Sequence, residues 1–197
     1  MNIVEIIGYQ RKNLGTSYSK RLRSNGNVPC VLYGGINQVH FYSPIGLFKN
    51  IVYSSETKFI NVNIEGCEYK CILQDIQFHP VSETILHIDF LKIFDNKKIK
   101  MNIPVNVIGK SKGIAKGGVL AKKIRSLQII AYPKDMPLNI DLDISNLDVG
   151  NSFKVKDVKT DNYKILNFHS LPILSIIMPR VLKIAKDSDE EDPKKEK

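Results

Sequence analysis

His87 and Asp89, in the run "LHIDFL", stand two residues apart, so on an extended strand both project from one face. That spacing suits a general base with its orienting carboxylate, two ligands of a metal, a structural His–Asp hydrogen bond, or a pair of polar contacts to a ligand. Neither a nucleophile nor a third ligand stands nearby at a recognisable spacing, which weighs against the catalytic and metal readings. His40, His79 and His169 stand alone. The second candidate lies at positions 11–23, where Arg11, Lys12, Lys20, Arg21 and Arg23 occur with no acid among them. Charge that serves only solubility is mixed in sign and dispersed. A one-sign cluster reads as a footprint for a polyanion, with a solvated helix face as the plain alternative.

Two further motifs fail on inspection. Gly109-Lys110-Ser111 has the ending of a phosphate-binding loop, but Pro104 stands where its first glycine belongs. The glycines of "KGIAKGG" also argue against a helix whose N-terminus would hold phosphates. Cys67 and Cys71 frame "CEYKC" without a second Cys or His pair, so zinc is not expected and both read as small apolar strand residues. With Cys30 the cysteines number 3, an odd count in a long chain that suits a reducing cytoplasm rather than a disulfide framework. No cofactor is expected.

The chain has 197 residues with 29 Lys/Arg against 20 Asp/Glu, a net +9 that points to nucleic acid or an anionic membrane surface as partner. No apolar run approaches the roughly 20 residues a membrane span requires. The start "MNIVEIIGYQ" lacks the basic and apolar regions of a signal peptide, so a soluble, unexported protein is expected. The charge is uneven. Residues 1–98 carry 11 Lys/Arg and 8 Asp/Glu, residues 99–186 carry 15 and 6, and residues 187–197 carry 3 and 6. Without positions 11–23 the first segment is net negative, so its positive charge is one patch.

The elements that must position these residues follow from periodicity and punctuation. A strand at 2–9 leads through a loop with Gly15 to a short helix at about 17–25, with Ser17 as its N-cap and Gly26 just past its end. Leu22 would anchor that helix to the strand "VPCVLYGG", leaving the cations outside. "VHFYS" is the next strand, and Pro44 opens a second helix to about residue 55 with Leu47, Ile51 and Val52 on its buried face. "KFINVNI" alternates as a half-buried strand, then "YKCILQDIQF" and "ILHIDFLKIF" follow. Together they predict an α+β domain whose antiparallel sheet curls into a barrel. From Ile99 onward short β-type runs broken by Gly, Pro and Asn predict an all-β domain. The tail at 186–197, "KDSDEEDPKKEK", has no apolar residue and reads as disordered.

The stretch "RKNLGTSYSKRLRSNGNVPCVLYGG" resembles the opening of the large-subunit ribosomal proteins of the L twenty-five group, whose two-domain members form the general stress protein CTC family. The shared pattern is an Arg-Lys pair, a glycine three residues after the Lys, Ser-basic-Arg-Leu-Arg, and a proline three residues before an apolar-Tyr-Gly-Gly. "LQDIQFHPVSETILHIDF" resembles the group's Gln-Asp, His-Pro and His-apolar-Asp-Phe signature. "GKSKGIAKGGVL" and "IDLDISNLDVGNSFKVKDV" are similar to the second domain of CTC-type members, so the likeness runs to about residue 180. Ser17 and Tyr18 depart from it, standing where small residues are usual; Lys20 and Phe78 depart more mildly.

The resemblance implies a six-stranded β-barrel with short helices at 1–95 that binds the loop E region of 5S rRNA, and a β-rich domain of CTC type at 99–182. Carried over by position, Arg11, Arg21, Tyr33, His87 and Asp89 contact RNA, and Lys12, Ser19, Lys20 and Arg23 lie in the same motif. Gln74 offers a further neutral hydrogen-bonding group. The implied partners are 5S rRNA and the large ribosomal subunit, with the second domain meeting 23S rRNA or neighbouring ribosomal proteins. The protein would be a monomer within the bacterial ribosome and not an enzyme. Two rivals stand beside this: a tRNA-binding module similar to the anticodon-binding barrels of glutaminyl-tRNA synthetases, and a hydrolase built on His87 and Asp89.

Overall fold

In the computed structural model the described residues are 3–54, 58–160 and 162–179; the tail expected to be disordered lies outside them. They divide into two compact units. The first runs to Ile99 and takes in Tyr132–Lys134; the second holds Lys100–Ala131 and the residues from Asp135 onward.

The first unit is a closed six-stranded barrel. Its strands are β1 (Ile3–Gln10), β2 (Asn27–Tyr33), β3 (Val39–Pro44), β4 (Phe59–Ile64), β5 (Cys67–Phe78) and β6 (Ile85–Lys92), in the order β1-β3-β2-β6-β5-β4. Period-2 alternation sets inside from outside. Ile60, Val62 and Ile64 of β4 are buried while Phe59, Asn61 and Asn63 face out, and on β6 Ile88 and Phe90 are buried with His87, Asp89 and Leu91 outward. Phe90 centres the core, its ring 5.7 Å from Phe41 and 6.4 Å from Phe48. Gly8 is where this core meets the backbone most closely, since a Cβ there would lie 2.6 Å from the Phe41 ring.

The barrel is mixed rather than antiparallel. β1 runs parallel to β4 and β2 parallel to β6, while the other neighbours are antiparallel. Side-chain alternation reports which face is buried but carries no sign for strand direction, which explains the difference from expectation.

Helix α1 (Thr16–Ser24) crosses from β1 to β2. Its N-cap is Gly15, not Ser17, and no side chain caps it. Its end is as expected: Gly26 takes φ +74 and donates its N–H to Arg23 O at 3.1 Å. Arg21 and Arg23 fall in the last turn, where the carbonyl end of the helix favours positive charge. After Pro44 the chain forms a 3-10 turn at Ile45–Phe48 and then α2 (Lys49–Val52). The tighter 3-10 winding shifts the phase of the buried face. Phe48 is therefore 0% exposed while Leu47, expected inside, is 39% exposed.

The second unit is β-rich, with two open sheets. β7 (Ile99–Ile108), β9 (Ser126–Ala131), β10 (Ile140–Asp143) and β12 (Lys164–Ile165) form one in the order β10-β7-β9-β12; β8 (Val119–Lys122), β11 (Ser152–Lys154) and β13 (Pro172–Ile177) form the other in the order β11-β13-β8. Ile103, Leu127, Ile129, Ile173, Leu174 and Ile176 are fully buried here. One turn of helix, α3 (Lys112–Ala115), departs from the expectation of strands alone. Ser111 caps it, accepting from Gly113 N at 3.0 Å and donating to Leu147 O at 2.6 Å. Gly113 serves close packing rather than looseness, because a Cβ there would lie 2.8 Å from the backbone at Asp148.

Candidate nucleic-acid interface

Register lines up residues distant in sequence along one row of the barrel's outer surface. Arg11, just past β1, donates its N–H to His40 O at 2.9 Å. His40 lies opposite Val31, Val31 opposite Asp89, and Asp89 opposite Asp75. In the next row toward the hairpin tip His87 lies opposite Gln77. Residues paired across a ladder share a face, so two histidines and two carboxylates from β3, β6 and β5 share the outside of the barrel, with Arg11 at the end of the row just past β1. Tyr33 follows two residues beyond Val31 on that same face, half-buried.

α1 packs against β2 beside this row, and Leu22, expected as its anchor, is 7% exposed. Arg21 and Lys20 are exposed; Arg11, Ser19 and Arg23 are half-buried. Arg11 Nη2 donates to Ser19 Oγ at 3.0 Å, and Arg23 Nη1 reaches toward Leu86 O of β6 at 3.5 Å. The helix is thus tied to both ends of the strand set, which fixes where its cations stand. Lys12 and Lys20 form no hydrogen bond or ion pair among the described residues.

His87 Nδ1 and Asp89 Oδ1 are 2.7 Å apart with both side chains about one-third exposed. In the tautomer with the proton on Nδ1 the carboxylate accepts it, which leaves Nε2 as the ring's free nitrogen toward an outside partner. Burial raises the Tyr33 hydroxyl above its ordinary pKa, with Asp89 and then Asp75 adding to it. Tyr33 is therefore an O–H donor at neutral pH. Burial likewise holds the Cys30 thiol well above its usual value, Asp89 adding and Arg11 opposing.

Of the residues expected from sequence, Arg11, Ser19, Lys20, Arg21, Arg23, Tyr33, His87 and Asp89 gather on α1 and the adjoining outer face, with Lys12 exposed just after Arg11. Gln74 does not join the row. The ladder shifts between Leu73 and Asp75, and it is Asp75 and Gln77 that meet Asp89 and His87. His40, read as standing alone, joins through strand pairing, and Tyr18 lies by two of the arginines. A hairpin closed on "HPVSET" would have pointed to Gln77 opposite His87; nothing local to His40 or Tyr18 points to either. Cys67 is exposed and Cys71 buried, both are free, and no group of three metal-ligating side chains occurs among the described residues. No helix among them is long and apolar enough to cross a membrane.

Comparison with known proteins gives the frame for this surface. Residues 6–90 match the Ribosomal L25p family, and residues 98–180 match Ribosomal protein TL5, C-terminal domain. The chain is 51% identical over 183 residues to the large ribosomal subunit protein bL25 of Cytophaga hutchinsonii, covering 93% of this chain and 95% of that one. It is also 51% identical over 183 residues to that of Amoebophilus asiaticus, covering 93% of each. It is 37% identical over 161 residues to that of Bacteroides fragilis, covering 82% of each. A six-stranded barrel followed by a β-rich unit, matched in order along nearly the whole chain, belongs to the Ribosomal L25p family, structural proteins of the large ribosomal subunit rather than enzymes.

Proposed function

We propose that the barrel unit, residues 1–95, binds 5S rRNA at its loop E region through α1 and the adjoining outer face. The observation that carries this is the convergence of Arg11, Arg21 and Arg23 with the hydrogen-bonded His87–Asp89 pair and Tyr33, all of them at least partly exposed. Double-stranded RNA presents a wide, shallow minor groove with 2′-hydroxyls and phosphates, and irregular pairs expose extra base edges there. Guanidinium groups fork onto phosphate oxygens and give position, whereas base-edge contacts give sequence. Asp89 would be repelled by phosphate, so it acts as an acceptor for a base amino group or 2′-hydroxyl and holds His87 with Nε2 outward. Tyr33 donates from the same face. The Lys-rich second unit, residues 99–182, is assigned to 23S rRNA or a neighbouring ribosomal protein, with the protein a monomer in the cytoplasmic ribosome.

Titration of a loop E oligonucleotide with the protein tests this. Arg21→Ala weakens binding by about 1–3 kcal/mol. His87→Ala also loses affinity, with no turnover on ester or phosphoester substrates before or after the change. Equal affinity of wild type and Arg21→Ala across a salt titration would sink the assignment. Displacement of the oligonucleotide by tRNA at lower concentration than by 5S rRNA would favour a tRNA-binding module instead.

A further inference from the structure

We infer that Tyr18 is a positioning residue for the two guanidinium groups at the head of the cationic patch: its ring gathers Arg11 and Arg21 so that they meet RNA as a preformed pair. The consequence for binding rests on the RNA-binding reading above; the arrangement itself does not.

Arg11 comes from just past β1 and Arg21 from the second half of α1. Their guanidinium carbons lie 5.8 Å and 5.9 Å from the centre of the same Tyr18 ring. Tyr18 and Arg21 are three apart on the helix and so share a face. Arg11 is held from a second side. Its Nη2 donates to Ser19 Oγ at 3.0 Å, and that hydroxyl donates to Gly15 O at 2.8 Å, which chains the guanidinium to the helix start. Its Nε is buried with no hydrogen-bond partner, so what it meets there is packing rather than an acceptor.

Two cations gathered without an acid repel each other. The ring face, negative in its quadrupole, offsets that repulsion without neutralising either charge. A carboxylate would hold them as well, but it would also repel phosphate. An arginine free in water surrenders rotamer freedom when it binds. Here part of that loss has been taken on folding, which leaves Arg11 and Arg21 better prepared than Lys12 and Lys20, which have no such support.

The test compares wild type with Tyr18→Phe, which keeps the ring, and with Tyr18→Leu and Tyr18→Met, which remove it while staying apolar. In the free protein the Nε–Hε NMR signals of Arg11 and Arg21 are displaced by ring current in wild type and Tyr18→Phe, and lose that ring-current displacement in the ring-free variants. In titration with the loop E oligonucleotide the ring-free variants bind about five- to thirty-fold more weakly, and Tyr18→Phe stays within about two-fold of wild type. The slope of log affinity against log salt is unchanged, because no cation has been removed. Tyr18→Leu combined with Arg21→Ala costs less than the two separately. Identical arginine signals with and without the ring overturn the inference. So does wild-type affinity in the ring-free variants alongside a weakened Arg21→Ala, an outcome that leaves the RNA-binding reading standing. Displaced arginine signals in a wild-type protein that binds no RNA overturn the functional reading and the binding consequence together.

Discussion

The two units manage charge in opposite ways, and the difference follows from how their sheets end. The barrel closes on itself, so no strand edge needs protection, and its positive charge gathers on one helix and the turn before it. The second unit has open sheets whose edges are β10, β12, β11 and β8. Each edge carries charge: Asp141 and Asp143 on β10, Lys164 on β12, Lys154 on β11, Lys122 on β8. Charged residues on edge strands deter pairing with other chains. Part of the 15 Lys/Arg in residues 99–186 therefore guards sheet edges before any partner is considered, whereas the 5 cations at 11–23 guard none. A high count of lysines is a weaker sign of a binding surface than a small cluster on a fold with no edges.

The strongest way to break that contrast is to attack the closed core. Phe90 is fully buried between Phe41 and Phe48, and its replacement opens a cavity that ring-closed strands collapse into poorly. Phe90→Ala lowers the stability of the barrel by about 3–5 kcal/mol. Hydrogen exchange at β2 and β6 amides reads this directly, and protection left at wild-type level would mean that the barrel is not one cooperative core.

A second test uses the barrel's thiols. Burial pushes Cys71 up to about 12 and Cys30 well above 9.0. Each sulfur lies near a strand carbonyl, Ile60 O at 3.4 Å and Val28 O at 3.5 Å, as a protonated thiol requires. A group whose pKa is raised by folding stabilises fully below its unfolded value, about 8.5 for cysteine, and loses that contribution as pH climbs toward the folded value. Barrel stability therefore falls from about pH 9 upward, and a Cys30→Val/Cys71→Val protein shows a shallower fall. Parallel curves would remove the thiols from the account.

Smaller still is the effect of single surface cations. Lys12→Ala reduces the salt slope of loop E binding by about 1 with a modest loss of affinity, as removal of one phosphate contact should. Lys156→Ala, an exposed lysine of the second unit, leaves that slope unchanged. Equal slopes for both variants would erase the distinction between clustered and dispersed charge.

Sequence made the barrel's inside and outside legible because alternation in "KFINVNI" and "LHIDF" is a local signal. The cationic helix was legible too, since its end is marked by Gly26 and its anchor is the one leucine among cations. Strand direction was not, because β1 meets β4, and β2 meets β6, only after long intervening chain. For the same reason His40 read as solitary until pairing with Val31 brought it into the row that ends on Asp89 and Asp75, with Val31 between. Gln74, though exposed, falls out of the row because a register shift at Leu73/Asp75 puts Asp75 and Gln77 opposite Asp89 and His87. In the second unit α3 was hidden by glycines that sequence reads as breakers, of which Gly113 is required by packing against the Asp148 backbone.

The mildest prediction sets the second unit against the barrel at the other end of the pH scale. Asp148 is held below the ordinary carboxylate range first by the hydrogen bond from Lys116 Nζ at 2.6 Å and then by Val149 N–H. Asp143 is held low first by the Ser145 hydroxyl and then by its backbone N–H. A carboxyl whose pKa is depressed by folding stabilises above its unfolded value, about 3.9, and loses that as pH falls through the folded value. Both groups are exposed, so the effect is small and shrinks in salt. Asp148→Asn therefore unfolds at slightly lower denaturant than wild type at pH 7, and the two curves coincide by about pH 2. Because Asp148 joins α3 to the loop before β11, the difference should appear in hydrogen exchange at Gly113 and Leu147, whose amides bond there, and not in β2 or β6. A loss spread equally over barrel amides would show that acid acts on both units alike, and the division into an alkali-sensitive barrel and an acid-sensitive second unit would fall.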